Sequence, residues 1–371
     1  MASLLFVGFV DETVAFLPYG AVEPIRQDLD LTYAQAGVLF ALYPGIGLLA
    51  TPFGVLADVV SRRVMAAIGG VGYGAGLFLF AAAQNFRTLF LAVCLMGFAG
   101  DALVRAVEVA LVDVAGDKLE PALARSTLLA AVGDLLGPLL LAAALGTGLG
   151  WRAAFWATGA MMVAYGLILA TQPLPAPHRD PDEEHRPWRD LLEVAKDRRV
   201  IVAGLLVAIL GAFDDTFVGF AVAFLDTERE LGPTVATLVA GAGMLGGIAA
   251  TAWASRTNRR QVGLRTCAVV LLAGVALLLL VPNIVAAAIG MAIVGGAMNL
   301  AWIVLQAGYL SLRPGQAGTT SAVAEAVSQV GILTPIMVGL VADQHGLTVA
   351  MALYVLFGVV FVASTRRRRN G

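Results

Sequence analysis

Charge is what this chain has least of. Asp, Glu, Lys and Arg make up only 13% of its 371 residues, about half of the ~25% usual in soluble domains. Between positions 231 and 324 there is no Asp or Glu at all. That scarcity excludes a soluble enzyme. Histidine is rare too: His178, His185 and His345 all fall in connections, so no metal site and no catalytic histidine is expected in the core. The two cysteines, Cys94 and Cys267, lie in apolar runs without CxxC spacing. They read as packing residues rather than as metal ligands or a disulfide framework. The net charge is −2 and no basic domain stands apart, so nucleic acid is not an expected partner. No cofactor is expected.

What is present is apolar: 59% of the residues are hydrophobic. One membrane crossing takes roughly 20 residues, so twelve crossings use about 240 and leave short connections. Apolar runs broken by charged or Gly/Pro-containing stretches occur at 3–24, 33–59, 63–84, 87–114, 122–147, 152–171, 199–225, 233–255, 263–281, 284–310, 318–342 and 347–365. The first run lacks a basic lead-in and carries Asp11 and Glu12, so it reads as a span rather than a cleaved leader. The long polar connection, 172–198, holds five prolines and a mixture of acids and bases. It divides the chain into a bundle at 1–171, a linker, and a bundle at 199–371 ending in a basic tail.

The bases orient the chain. With the N-terminus inside, 19 of the 24 Lys and Arg fall in inside connections, against Arg26, Arg87, Arg152 and Arg229 outside. That asymmetry predicts both termini and the linker on the cytoplasmic face of a cell membrane.

The sequence also repeats itself. Phe9-Val10-Asp11-Glu12-Thr13-Val14 in the first span resembles Ala212-Phe213-Asp214-Asp215-Thr216-Phe217 in the seventh. Gly133-Asp134-Leu135-Leu136-Gly137-Pro138 in the fifth resembles the stretch from Ser328 to Pro335 in the eleventh. Two six-helix halves of common ancestry account for this, an arrangement in which transporters place substrate near the midplane.

After the second span, Gly54-Val55-Leu56-Ala57-Asp58-Val59-Val60-Ser61-Arg62-Arg63 resembles the signature of the major facilitator superfamily between helices 2 and 3, departing at Val59 and Ser61. The second half keeps the bases in Ser255-Arg256-Thr257-Asn258-Arg259-Arg260 but has lost the acid. Gly150-Trp151-Arg152 opening helix 6 and Arg105 in helix 4 add to the likeness. The resemblance implies an all-α membrane protein of twelve transmembrane helices in two pseudo-symmetric six-helix bundles, working by alternating access. It also implies a cytoplasmic gate of Gly54, Asp58, Arg62 and Asp113. The four-residue spacing of Asp58 and Arg62 independently suits an ion pair, with plain topology anchoring by Arg62 and Arg63 as the alternative.

Charged groups inside a span are costly and are functional candidates by default. The spans hold Asp11, Glu12, Asp101, Glu108, Asp134, Asp214, Asp215 and Glu325 against the single base Arg105. Eight acids facing one base cannot all stay ionised, so some are expected to carry protons near neutral pH. Asp101, Arg105 and Glu108 share one face of helix 4, where protonation would reorganise the pairing of Arg105; a static buried triad is the alternative. The adjacent acids Asp11 and Glu12 point about 100° apart, and so do Asp214 and Asp215. Because the resemblance implies that helices 1 and 7 line the cavity, one of each pair is expected to face it and the other to bond a neighbouring helix; the alternative is that both sit near a span end in water.

In helix 5, Gly133, Gly137 and Pro138 partly resemble the superfamily's antiporter element, and small residues followed by proline favour close packing and a bend. Gly241-x-Gly243-x-x-Gly246 spells a dinucleotide fingerprint but lies within a span and reads as packing, as do Gly69, Gly70, Gly72, Gly74 and Gly76. These features point to a monomeric, proton-coupled antiporter that exports a cationic or neutral small molecule. The alternatives are a proton- or sodium-coupled nutrient symporter and, in another class, a non-transporting membrane receptor.

Overall fold

The computed structural model describes residues 2–49, 61–115, 119–174, 193–256, 263–310, 312 and 317–365. Gly54 and Asp58, most of the linker, the basic tail and the side chain of Asp113 lie outside the described residues. Among the described residues all regular structure is helical.

Among the described residues twelve apolar helices follow one another: α1 (Ser3–Gly20), α2 (Tyr33–Leu49), α3 (Arg62–Ala81), α4 (Phe86–Ala115), α5 (Leu119–Gly146), α6 (Trp151–Thr171), α7 (Arg198–Thr227), α8 (Pro233–Arg256), α9 (Leu264–Leu280), α10 (Ile284–Leu310), α11 (Val323–His345) and α12 (Leu347–Ser364). Ten are long and apolar enough to cross a membrane, and α2 and α9 contribute shorter apolar stretches. The chain separates into two compact units, Met1–Asp182 and Glu183–Gly371.

Both units turn large apolar side chains outward: Ile68 (68% exposed), Leu91 (61%), Leu128 (67%) and Leu280 (77%). Exposure of that kind on packed helices fits lipid surroundings, where burial of apolar surface cannot hold helices together. Close packing of small residues does so instead. On α3, a Cβ at Gly69 would lie 2.7 Å from the Leu103 backbone nitrogen of α4, and one at Gly70 2.6 Å from Gly166 of α6. Gly74 and Gly76 continue these two seams against α6 and α4. In the second unit Gly243 and Gly246 pack on Gly295 and Ala292 of α10, so the fingerprint-like glycines are a helix seam.

Helix α5 runs unbroken through Pro138. Its Gly133 and Gly137 press on the backbone carbonyls of Phe9 and Thr13 in α1, fixing the α1–α5 register around Asp11 and Glu12. In the second unit, Gly204 of α7 packs likewise on the Ala324 carbonyl of α11.

Candidate functional site

The first unit gathers six of the candidate side chains. Asp11 and Glu12 sit in the middle of α1, in the helical stretch Val7–Ala15. Being adjacent, they turn to different neighbours. The Asp11 carboxyl accepts a hydrogen bond from the Tyr73 hydroxyl of α3 and stands within Coulomb range of Glu108, Asp134 and Asp101. Glu12 makes a side-chain hydrogen bond with Asp134 of α5. On α4, Arg105 Nε lies 3.5 Å from Asp101 Oδ1, with the arginine half-exposed. The other Asp101 oxygen is buried with no hydrogen-bond partner among the described residues. Glu108, one turn on, is exposed and feels the charges of both.

Sequence reasoning missed the tyrosines that frame this group. Tyr73 is buried on α3; a Cβ at Gly100 would come 3.1 Å from its ring, so that glycine leaves the ring its place against α4. Tyr165 of α6 is within Coulomb range of Asp11 and donates to the Ser3 carbonyl at 2.8 Å. Tyr73 stands between glycines in a run read only as packing, the one sequence signal that could have drawn attention to it. Among the other aromatics, Tyr19 and Tyr309 are buried, whereas Trp253 and Trp302 are exposed.

Arg62 opens α3 and is buried, while its neighbour Arg63 donates to the Ala170 carbonyl at the end of α6. The rest of the expected gate, Gly54, Asp58 and the Asp113 side chain, falls outside the described residues. Asp214, Asp215 and Glu325 belong to the second unit. There α7 is interrupted between Gly211 and Asp215, and Asp214 stands at the N-cap of the following stretch with ψ −149°. Glu325 is exposed on the helical run Ala317–Ser328, just before the turn Gln329–Leu333 that interrupts α11.

The end of the first unit beyond α1 holds a further carboxylate that sequence reasoning passed over. Glu23, fully buried, accepts hydrogen bonds from Arg26 Nε (2.9 Å), Gln27 (2.8 Å) and the Tyr33 hydroxyl (3.1 Å). The hydrogen bond to Glu23 raises the Arg26 pKa, as a close ion pair does. Nearby, Asp28 accepts from Arg152 and Trp151, tying the chain after α1 to α6. Among the described residues no group of His, Cys, Asp and Glu could hold a metal ion.

Comparison with known proteins agrees with this architecture. The family model of the Major Facilitator Superfamily matches residues 4–335. A chloramphenicol resistance protein of Streptomyces lividans is 29% identical over 67% of this chain and 65% of its own length. The quinolone resistance protein NorA of Staphylococcus aureus is 29% identical over 31% of each chain. These matches therefore span less than two thirds of either relative. Among solved structures, a bacterial homolog of the human lysosomal transporter Spinster superposes with a TM-score of 0.76 at 16% identity, covering 98% of this chain and 95% of that one. A mutant of the nucleoside transporter NupG superposes with a TM-score of 0.81 at 14% identity, covering 98% of both chains. Identities so low speak for the fold alone. With a family model spanning nearly the whole chain and two bundles of apolar helices beneath it, this multi-pass membrane protein belongs to the Major Facilitator Superfamily of transporters.

Proposed function

We propose that the protein is a proton-coupled antiporter of the cell membrane, exporting a cationic or neutral small organic molecule, with both termini in the cytoplasm and one chain as the working unit. The observation that carries this reading is the composition of the first unit's polar group: five acids, Asp11, Glu12, Asp101, Glu108 and Asp134, around one base, Arg105. A hydrogen bond between two carboxyls needs a proton in it, and Glu12 and Asp134 form such a pair. Arg105 can pair with only some of its acidic neighbours at once, so proton arrival at Asp101 or Glu108 lets it re-pair, and that re-pairing is the step that couples proton to conformation. Asp58, Arg62 and Asp113 close the cytoplasmic side, Gly133, Gly137 and Pro138 let α5 bend against α1, and Asp214, Asp215 and Glu325 supply the acids of the second bundle.

An acid-rich site disfavours phosphates and polycarboxylates, which call for several arginines. The resistance proteins among the relatives support export of drug-like compounds. The nucleoside and peptide transporters among the structural neighbours keep uptake by symport as the reading to be separated from it.

Proteoliposomes separate the two. With tetraphenylphosphonium as the cationic probe and chloramphenicol as the neutral one, uptake is expected only when the lumen is acidic relative to the bath. It should be indifferent to sodium and fall to background in Asp11→Asn. Uptake that requires an alkaline lumen or a sodium gradient would overturn the antiport reading.

A further inference from the structure

At one end of the second unit two cavities, of 250 Å³ and 430 Å³, share Glu228 and Arg229 in their walls. The larger is a mainly aliphatic chamber made by Leu279 and Leu280 of α9 and Ala352 and Val355 of α12. The smaller is more polar, with Glu230 and Asn283 in its lining. Leu280 of the larger cavity is exposed, as are Val285 and Val349, next in sequence to the lining residues Ile284 and Thr348. Glu228 and Arg229 thus stand at the junction of an apolar and a polar chamber.

The internal repeat gives this junction a counterpart in the first unit to be compared with. The offset that carries Asp11 onto Asp214 also carries Glu23 onto Asp226 and Arg26 onto Arg229. In the first unit Arg26 is 2.7 Å from Glu23 and lies over the Tyr33 ring, and the cavity beside it measures only 20 Å³. Arg152, at the same end, is likewise paired with Asp28. Among the described residues Arg229 makes no ion pair. It donates to the Leu279 carbonyl, capping the last turn of α9, and lies 5.2 Å over the Phe224 ring. One hydrogen bond leaves most of its five donors for another acceptor. Thr348 of α12 steadies Glu228 at 3.2 Å, and Glu230 holds a left-handed backbone (φ 55°) that turns the chain there.

We propose that this double cavity binds one zwitterionic phospholipid of the adjoining leaflet. The acyl chain fills the aliphatic chamber, the phosphate sits on Arg229, and the headgroup cation sits by Glu228 and Glu230. The pattern of charge selects the headgroup: a cationic arginine alone would favour any anionic lipid, but two flanking carboxylates repel a headgroup of net negative charge.

The test uses the purified full-length protein, stripped of lipid in detergent and titrated with dioleoyl phosphatidylethanolamine, phosphatidylcholine or phosphatidylglycerol, with bound lipid counted by native mass spectrometry. Wild type should retain one phosphatidylethanolamine or phosphatidylcholine and bind phosphatidylglycerol at least ~10-fold more weakly, since a charge-assisted contact is worth about that much. Arg229→Ala should lose the retained lipid, whereas Arg26→Ala should keep it. The double variant Glu228→Gln/Glu230→Gln should gain affinity for phosphatidylglycerol, a gain that misfolding cannot mimic. Equal binding of all three headgroups by wild type, or retention unchanged in Arg229→Ala, would reduce Arg229 to a helix cap and overturn the proposal. So would a dimer mass that disappears with Arg229→Ala, which would make the occupant a second copy of the chain.

Discussion

Helices α1 and α7 carry the same acidic pair followed by Thr, yet they treat it differently. In α1 the chain keeps helical torsions even where its hydrogen bonding falters, at Phe6 (φ −81°, ψ −4°) and Phe16 (φ −67°, ψ −31°). Asp11 and Glu12 therefore stand mid-helix and meet side chains, Tyr73 and Asp134. In α7 the helix stops at Gly211 and restarts at Asp215, so Asp214 and Asp215 meet the positive end of a half-helix whose first N–H groups have no intrahelical partner. The same contrast recurs in their partners, since α5 stays helical through Pro138 while α11 is interrupted by the turn Gln329–Leu333 ahead of Pro335. Packing at one glycine position tracks the difference. A Cβ on Gly8 would lie 3.0 Å from Ala130 of α5, whereas one at the equivalent Gly211 would meet nothing within 4 Å. A backbone clamped against its neighbour stays helical, and one left open can break. The lesson is a difference of setting: the first unit's acids stand mid-helix against side chains of neighbouring helices, and the second unit's pair stands where its own helix breaks.

Four substitutions press on that contrast. The largest effect is expected at the α1–α5 seam. Gly133→Ala sets a methyl against the Phe9 carbonyl and should cost about 1–3 kcal/mol, read as a lower unfolding temperature in detergent. Gly331→Ala meets the Ala208 carbonyl at 3.2 Å and should cost less. Equal losses would mean the two seams are equally tight. Next, Tyr73→Phe removes the donor to Asp11 and should weaken proton-driven transport roughly fivefold, as loss of one hydrogen bond of about 1 kcal/mol does, with membrane insertion unchanged. The smallest effect is at Gly211→Ala, where space is free and higher helix propensity should stabilise α7 by up to ~1 kcal/mol. If the interruption serves transport, turnover should fall while stability rises, and unchanged turnover would make the break incidental.

Most of the architecture was legible because hydropathy and charge act locally. The twelve spans, the glycine seams of α3 and the repeat of Asp11-Glu12 in Asp214-Asp215 could be read directly. The partners of these acids could not, because Tyr73 reaches Asp11 only after Gly69 and Gly70 have locked α3 between α4 and α6. Glu23 was passed over because it falls at the edge of the first apolar run, and of its donors only Arg26 drew attention, as an outside base that helps orient the chain. The break in α7 did leave a trace, a glycine followed by an Asp at the N-cap, but α1 carries glycine at the same place and stays helical. Only the neighbouring helix distinguishes the two.

The central claim is that the coupling protons reside on the acids of the first unit. Proton release on binding tetraphenylphosphonium to the purified protein, followed with a pH dye in weak buffer, tests it most directly. Wild type should release protons on binding. Asp11→Asn and the double variant Glu12→Gln/Asp134→Asn should release fewer per bound cation, and Asp214→Asn/Asp215→Asn should release as many as wild type. Release that survives in the first-unit variants and vanishes in the α7 variant would contradict the account.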